Sequence, residues 1–157
     1  MKLIIFEYYI FKMSKNDQNK IQAEESDYLY IQTSQLPSSG NGLFTAIDIY
    51  KDEIISIFKG EILSDIEANL RAKNNTNQYF MNLHNGSILD CKNTDCFAKY
   101  ANDASGFSIP KFRDNFKNNA KITIDDNNNV CLIAIKKIKS GEEIFCDYGK
   151  KYWKKHS

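Results

Sequence analysis

The sequence predicts a mainly β domain with one or two short helices, on three observations. Short apolar runs such as Glu53 to Phe58 and Val130 to Lys136 are separated by clusters of Asn, Asp, Ser and Gly, the punctuation of short strands. Asn85-Gly86 lies between two such runs and is a strong hairpin signal. The best helix candidate is Leu63 to Ala72, where Ser64 can cap, Glu67 follows three residues on, and Ile66 and Leu70 share a face.

The elements follow in order. Met1 to Phe11 is apolar, too short to span a bilayer, and carries Glu7. A packed helix or strand, a membrane-surface anchor, and an upstream translation artefact all fit it; the reading adopted is the last, with Met13 as the true start. Ser14 to Ser26 is polar and reads as a flexible lead-in. This divides the chain into 1–26, an apolar stretch plus lead-in, and 27–157, one folded domain.

Tyr28, Tyr30 and Thr33 mark a first strand. Pro37 to Gly42 is a loop, Leu43 to Ile49 a strand, Tyr50-Lys51-Asp52 a turn and Glu53 to Phe58 a strand. After the helix, Tyr79 to Leu83 and Ser87 to Asp90 flank the Asn85-Gly86 turn. Asp95 to Asn102 is expected as a short helix and Ala104 to Asn119 as loop. Asn119 to Asp125 and Val130 to Lys136 form a further hairpin. The pattern Thr45, Ile49, Asp52-Glu53-Ile54 is echoed by Ala134, Ile138, Gly141-Glu142-Glu143-Ile144. Two copies make related hairpins, not a solenoid.

Bulk properties narrow the function. At 157 residues and 42% hydrophobic, the chain suits one domain with a real core. A net charge of +1 gives no global pull toward nucleic acid or a membrane surface. Cys91, Cys96, Cys131 and Cys146 form no Cys-x-x-Cys pair, and they read as buried free thiols rather than disulfides or metal ligands. His84 and His156 are isolated and read as surface residues, so a metal site, a triad and a carboxylate dyad all lack support.

Three segments could carry chemistry. Gly40-Asn41-Gly42 lets backbone atoms approach a ligand, although it lacks the third glycine of a dinucleotide fingerprint. Asn102 and Asp103 follow the apolar-flanked Phe97-Ala98-Lys99-Tyr100-Ala101, where a buried carboxamide must find partners. Tyr148 precedes a glycine at the end of Gly141-Glu142-Glu143-Ile144-Phe145-Cys146-Asp147-Tyr148-Gly149; its simplest reading is a half-buried phenol bonded to a backbone group.

Taken in order with Phe58-Lys59-Gly60-Glu61, these segments resemble the SET-domain family of protein-lysine methyltransferases, over about Tyr30 to Trp153. The resemblance implies a β-clip-like fold of small curled sheets with a C-terminal pseudoknot, and methyl transfer from S-adenosylmethionine to a lysine of a protein or peptide, histones being the family's familiar substrates. It implies that Gly40, Asn41, Gly42, Leu43, Tyr79, Asn102, Asp103 and Trp153 hold the cofactor. Tyr148 would complete the transfer site, and Phe58, Tyr100 and Cys146 would line the lysine channel.

Such a reaction needs a neutral amine, in-line positioning, and oxygens and aromatic faces around a cationic methyl group; it needs no metal and no covalent intermediate. Departures are visible. Asp103 replaces the family's histidine, Asn118-Asn119 stands where Pro-Asn is usual, and the cysteine cluster after Gly149 is missing. Tyr152 and Trp153 are expected as an aromatic lid instead. The small Cys146 leads to the expectation of a roomy channel that accepts di- or trimethylation. The rival reading is a SET-like module that binds a peptide without turnover. No direct nucleic-acid or membrane partner is expected, and the location expected is intracellular, in cytoplasm or nucleus.

Overall fold

The computed structural model describes residues 19–83, 85–105, 115–150 and 152. The expectations placed on Met1 to Phe11, His84, Trp153 and His156 lie outside them. Among the described residues the chain runs α1 (Glu25–Tyr28), β1 (Leu29–Thr33), β2 (Asn41–Thr45), β3 (Ile54–Ile57), β4 (Glu61–Leu63), α2 (Asp65–Lys73), β5 (Phe80–Asn82), β6 (Ile88–Asp90), a 3-10 turn (Ala98–Tyr100), β7 (Ala120–Ile124), β8 (Val130–Ala134), β9 (Glu143–Ile144) and β10 (Cys146–Asp147). Three small sheets result, in the orders β1-β2-β9, β10-β7-β8-β3 and β4-β6-β5. No helix among the described residues is long and apolar enough to cross a membrane.

The two echoing segments meet. Ile49 and Ile138, equivalent positions in the two copies, form an antiparallel bridge with reciprocal hydrogen bonds of 2.8 and 2.9 Å, and both are fully buried. Tyr50 N–H donates to the Glu53 carboxylate at 2.7 Å, just as Lys139 N–H donates to Glu142 at 2.9 Å. Asp52 (φ 71°) and Gly141 (φ 86°) occupy the same left-handed turn position. Asp48 and Lys137, also equivalent, pair with each other at 2.7 Å. Each turn then closes on the other copy: Gly141 N–H donates to the Thr45 carbonyl at 2.7 Å and Asp52 N–H to that of Ala134 at 2.9 Å. Leu43, Ile49, Ile55, Leu132, Ile138 and Ile144 pack around this junction as the centre of the core. Each contributes on the order of 2 kcal/mol by leaving water.

Several elements differ from expectation, each for a local reason. The strand expected from Leu43 to Ile49 stops at Thr45, whose hydroxyl donates to the Ile47 carbonyl (2.8 Å) and accepts from the Ile47 N–H (3.2 Å), bending the chain. The helix expected over Asp95 to Asn102 shrinks to the 3-10 turn because Ala101 is already extended (φ −71°, ψ 112°). Residues 19–26, read as part of the lead-in, are docked: Glu25 accepts from Ser56 Oγ (2.9 Å) and Ile57 N–H (3.0 Å), and Lys20 bridges Ile54. In α2 the capping box of Ser64 and Glu67 forms as expected. The face shared by Ile66 and Leu70, however, points to solvent, at 81% and 58% exposure, while Ala68 is buried. Arg71 fixes the helix instead, reaching Glu61 (2.8 Å) and the buried Asp90 (2.6 Å).

The C-terminal strands explain the knot-like expectation. Phe145 bridges Asn102 in parallel, and β10 pairs in parallel with β7 through Cys146↔Ala120. Asn102 carbonyl accepts from Cys146 N–H at 2.8 Å, while Phe145 carbonyl accepts from Ala120 N–H at 2.9 Å. Asn119 adds a side-chain clamp, donating to the Glu143 carbonyl and accepting from Phe145 N–H, both at 2.8 Å. The segment is thus held on both sides by the two ends of the connection between Asp103 and Asn118, which bond to each other at 3.0 Å.

One position in this frame is unusually intolerant. A Cβ on Gly60 would lie 2.5 Å from the Asp90 backbone carbonyl oxygen. Since backbone cannot step aside as a side-chain tip can, Gly60→Ala is expected to cost about 2–3 kcal/mol of stability, read from the urea midpoint.

Candidate active site

The Gly40 bend, Asn102 and Tyr148 line one cavity of about 500 Å³, within the range of ligand pockets. The bend is possible because Gly40 sits at φ 67° just before β2. Asn102 follows the 3-10 turn, and its carboxamide N–H donates to the Asn41 carbonyl at 3.0 Å, tying the mid-chain segment to the bend. Tyr148 enters from the end of β10. Its hydroxyl donates to the Ala101 carbonyl at 2.8 Å and its N–H to the Asp103 carboxylate at 2.9 Å. Burial, with smaller contributions from Cys146, Tyr152 and Asp103, pushes the phenol pKa far above its ordinary value. Tyr148 is therefore a neutral phenol at physiological pH.

Aromatic side chains supply much of the wall. Phe58, Tyr79 and Tyr100 line the cavity, and Tyr152 packs edge-on against Tyr148 with ring centroids 4.8 Å apart. Tyr152 is thus part of the cavity wall, and Trp153, expected with it as an aromatic lid, lies outside the described residues.

Four of the site residues expected from the sequence do not line this cavity. Leu43 is fully buried in the core. Gly42 faces Glu143: a Cβ there would lie 2.1 Å from Glu143 Oε1. Asp103 turns its carboxylate to Ser105, Asn118 and the Tyr148 N–H, so backbone atoms are its remaining route to a ligand. Cys146 is buried behind Tyr148, its thiol 3.6 Å from the same Ala101 carbonyl that the phenol contacts. Burial pushes that thiol's pKa up.

The structure also supplies residues that sequence reasoning missed. Buried Glu143 accepts from Ser34 Oγ (2.6 Å) and Gln35 N–H (2.7 Å), and Asn102 reaches it at 3.5 Å. It anchors the start of the glycine loop to the C-terminal strand. Glu142 closes the turn by accepting from Lys139 N–H, and Glu143 opens β9, whose two residues are both buried, so the adjacent glutamates gave no alternation signal to read. Lys99 donates to the carbonyls of Cys91 (3.2 Å), Lys92 (3.1 Å) and Thr94 (2.8 Å), with its ammonium 5.4 and 5.8 Å from the Tyr100 and Tyr79 ring centroids. Backbone acceptors leave no trace in a sequence, so this brace was illegible.

A polar bend, a carboxamide and several tyrosine rings surround one cavity, a lining that can accept a polar or cationic ligand. Comparison with known proteins identifies the family. The SET domain family model matches residues 40–149. Histone-lysine N-methyltransferase 2D of Homo sapiens is 25% identical over 143 residues, covering 88% of this chain and 2% of that protein. The structure of a humanized mutant of the Chaetomium thermophilum Polycomb Repressive Complex 2 bound to an inhibitor superposes with a TM-score of 0.62 at 28% identity, covering 77% of this chain and 15% of that one. A structure of ctPRC2 in an autoinhibited conformation bound to S-adenosylmethionine gives 0.60 at 29%, covering 78% and 15%. With its curled sheets, its doubly held C-terminal strand and a family match over most of its length, this chain belongs to the SET-domain family.

Proposed function

We propose that the protein is a protein-lysine N-methyltransferase that uses S-adenosylmethionine. The observation that carries this reading is the convergence of Gly40, Asn41, Asn102 and Tyr148 on one aromatic-walled cavity, from three distant parts of the chain. Bound there, S-adenosylmethionine would supply the methyl group. Gly40, Asn41 and Asn102 would hold it, with Tyr79, Tyr152 and Trp153 closing over it. Phe58 and Tyr100 would guide the lysine side chain, whose desolvation favours the neutral amine that has a lone pair to use. Tyr148 acts as a positioning wall rather than a base. A hydroxyl that donates to Ala101 is an acceptor toward an approaching N–H or polarised methyl, and a phenol with a raised pKa does not compete for the amine's charge. The substrate is a lysine on a protein or peptide, histones included.

Calorimetric titration and thermal shift with S-adenosylmethionine test the cofactor half of this reading. A ligand at a hundred times its dissociation constant stabilises the fold by about 2.7 kcal/mol. Asn102→Ala, which frees the Asn41 carbonyl from its tether, is expected to weaken that binding about tenfold while the protein stays folded. Absence of any shift at saturating ligand would point to a peptide-binding module instead.

A further inference from the structure

Three consecutive residues grip the C-terminal strand. The Ala101 carbonyl accepts from the Tyr148 hydroxyl and the Asn102 carbonyl from Cys146 N–H, both at 2.8 Å. The Asp103 carboxylate accepts from Tyr148 N–H at 2.9 Å. Tyr148 is thus held at its backbone and at its hydroxyl by the two neighbours of Asn102. Asp103 is 5% exposed and stands where the family's histidine is usual. We propose that Asp103 is a positioning residue for methyl transfer, whose carboxylate pins the Tyr148 backbone so that the phenol stands against the Ala101 carbonyl in the cavity wall. The inference rests on the reading of Tyr148 as part of the transfer site.

The surroundings select a carboxylate. Asp103 Oδ1 accepts from Ser105 N–H (2.8 Å), Ser105 Oγ (2.6 Å) and Asn118 Nδ2 (3.0 Å), while Oδ2 accepts from Tyr148 N–H. Asn118 cannot offer its oxygen to Asp103 instead, because that oxygen accepts from Ala104 N–H at 3.0 Å. Among the described residues, both ends of the side chain therefore meet donors, and an ionised carboxyl group is an acceptor at both ends. A neutral imidazole has one acceptor nitrogen and satisfies one end. An asparagine has the same shape but turns an amide N–H toward one end. Oδ1 gathers donors from Ser105 and Asn118, so the asparagine oxygen stays there and its N–H meets the Tyr148 N–H, donor against donor.

The loss falls on one side of the site. Asn102 reaches the Asn41 carbonyl at 3.0 Å with its own side chain and keeps Cys146 N–H on its carbonyl, and neither contact passes through Asp103. The groups proposed to hold the cofactor therefore stay in place. Tyr148, held only at its hydroxyl, gains freedom to pivot about the Ala101 carbonyl. A displacement of about 1 Å at a reacting centre costs about 10²-fold in rate, because the aligned approach is lost while binding is not.

The test compares Asp103→Asn with Ser105→Ala in the full chain. Ser105→Ala removes the hydroxyl donor on Oδ1 and leaves the Tyr148 end intact. The first readout is amide hydrogen exchange by NMR on the cofactor-free protein. Wild-type Tyr148 N–H is expected among the slowly exchanging amides, and a fast-exchanging one overturns the inference whatever the variants do. Asp103→Asn is expected to speed that exchange at least about tenfold while Cys146 N–H keeps its rate, and Ser105→Ala to change neither. The second readout is steady-state kinetics with S-adenosylmethionine and a lysine peptide. Asp103→Asn is expected to lower kcat about 10²-fold with both KM values within about threefold. Ser105→Ala keeps kcat within about twofold although its melting temperature falls. The inference is overturned if Tyr148 N–H stays protected in Asp103→Asn, if it is released with kcat unchanged, or if Ser105→Ala lowers kcat as far, which makes the carboxylate a tie for the loop alone. A wild-type chain that transfers no methyl group fails the proposed function, and exchange alone then decides whether Asp103 pins Tyr148.

Discussion

Tyr148→Phe is expected to yield a folded protein that lacks the methyl transfer proposed above while retaining most of the proposed cofactor affinity. The hydroxyl is the only atom removed, and the aromatic contact with Tyr152 survives. What disappears is the donation to Ala101, a bond whose loss costs about 1–2 kcal/mol of stability. The Cys146 thiol, 3.6 Å from the same carbonyl, partly replaces it. The effect on turnover is larger, about 10²-fold or more in kcat, the scale seen when one oriented polar group is taken from a water-excluded reacting centre. Mass spectrometry of the peptide product reads it, with calorimetry of the cofactor alongside. Undiminished transfer would remove Tyr148 from the mechanism. Lost affinity with a lowered melting temperature would make the phenol a strut of the fold.

Gly42→Ala is expected to be strongly destabilising. The added Cβ would lie 2.1 Å from Glu143 Oε1 and 3.2 Å from the Ser34 backbone. Glu143 cannot swing aside without releasing Ser34 Oγ and Gln35 N–H, and it is a buried residue, 2% exposed. An expelled or unpaired buried carboxylate costs about 3–5 kcal/mol, a large part of the stability of a small domain. The urea midpoint measures it. Glu143→Ala in the same background removes the clash but leaves the Ser34 and Gln35 donors without their acceptor, so it is expected to recover only part of the loss. Wild-type stability in Gly42→Ala would show that the carboxylate has somewhere else to go.

What the sequence revealed divides along physical lines. Chemistry that closes within a few residues was legible: the Ser64–Glu67 capping box, the Asn85-Gly86 turn with Gly86 at φ 85°, and the hairpin of β7 and β8. The family-level order of motifs also pointed to the convergence of Gly40, Asn102 and Tyr148. Partner choice over long range was not legible. Gly42 reads as a ligand-approach glycine until Glu143, a hundred residues on in round terms, is seen to need its space. Asp103 reads as a cofactor contact until Asn118 and Tyr148 are seen to claim its oxygens. The outward face of α2 looks like a core face because Ile66 and Leu70 have core spacing; Arg71 and the buried Asp90, which settle its orientation, give no periodic signal.

The pairing of the two echoing turns has a consequence for biosynthesis. Because each turn completes its hydrogen bonds on the other copy, the early segment emerging from the ribosome has no local way to satisfy the Asp52 N–H or cover Ile49. Its partner arrives only with Ala134 to Gly141, far along the chain from Asp52. Until that segment follows, a nascent chain exposes an unfinished hydrophobic seam, and assembly proceeds through slow, distant contacts of the kind chaperones shield.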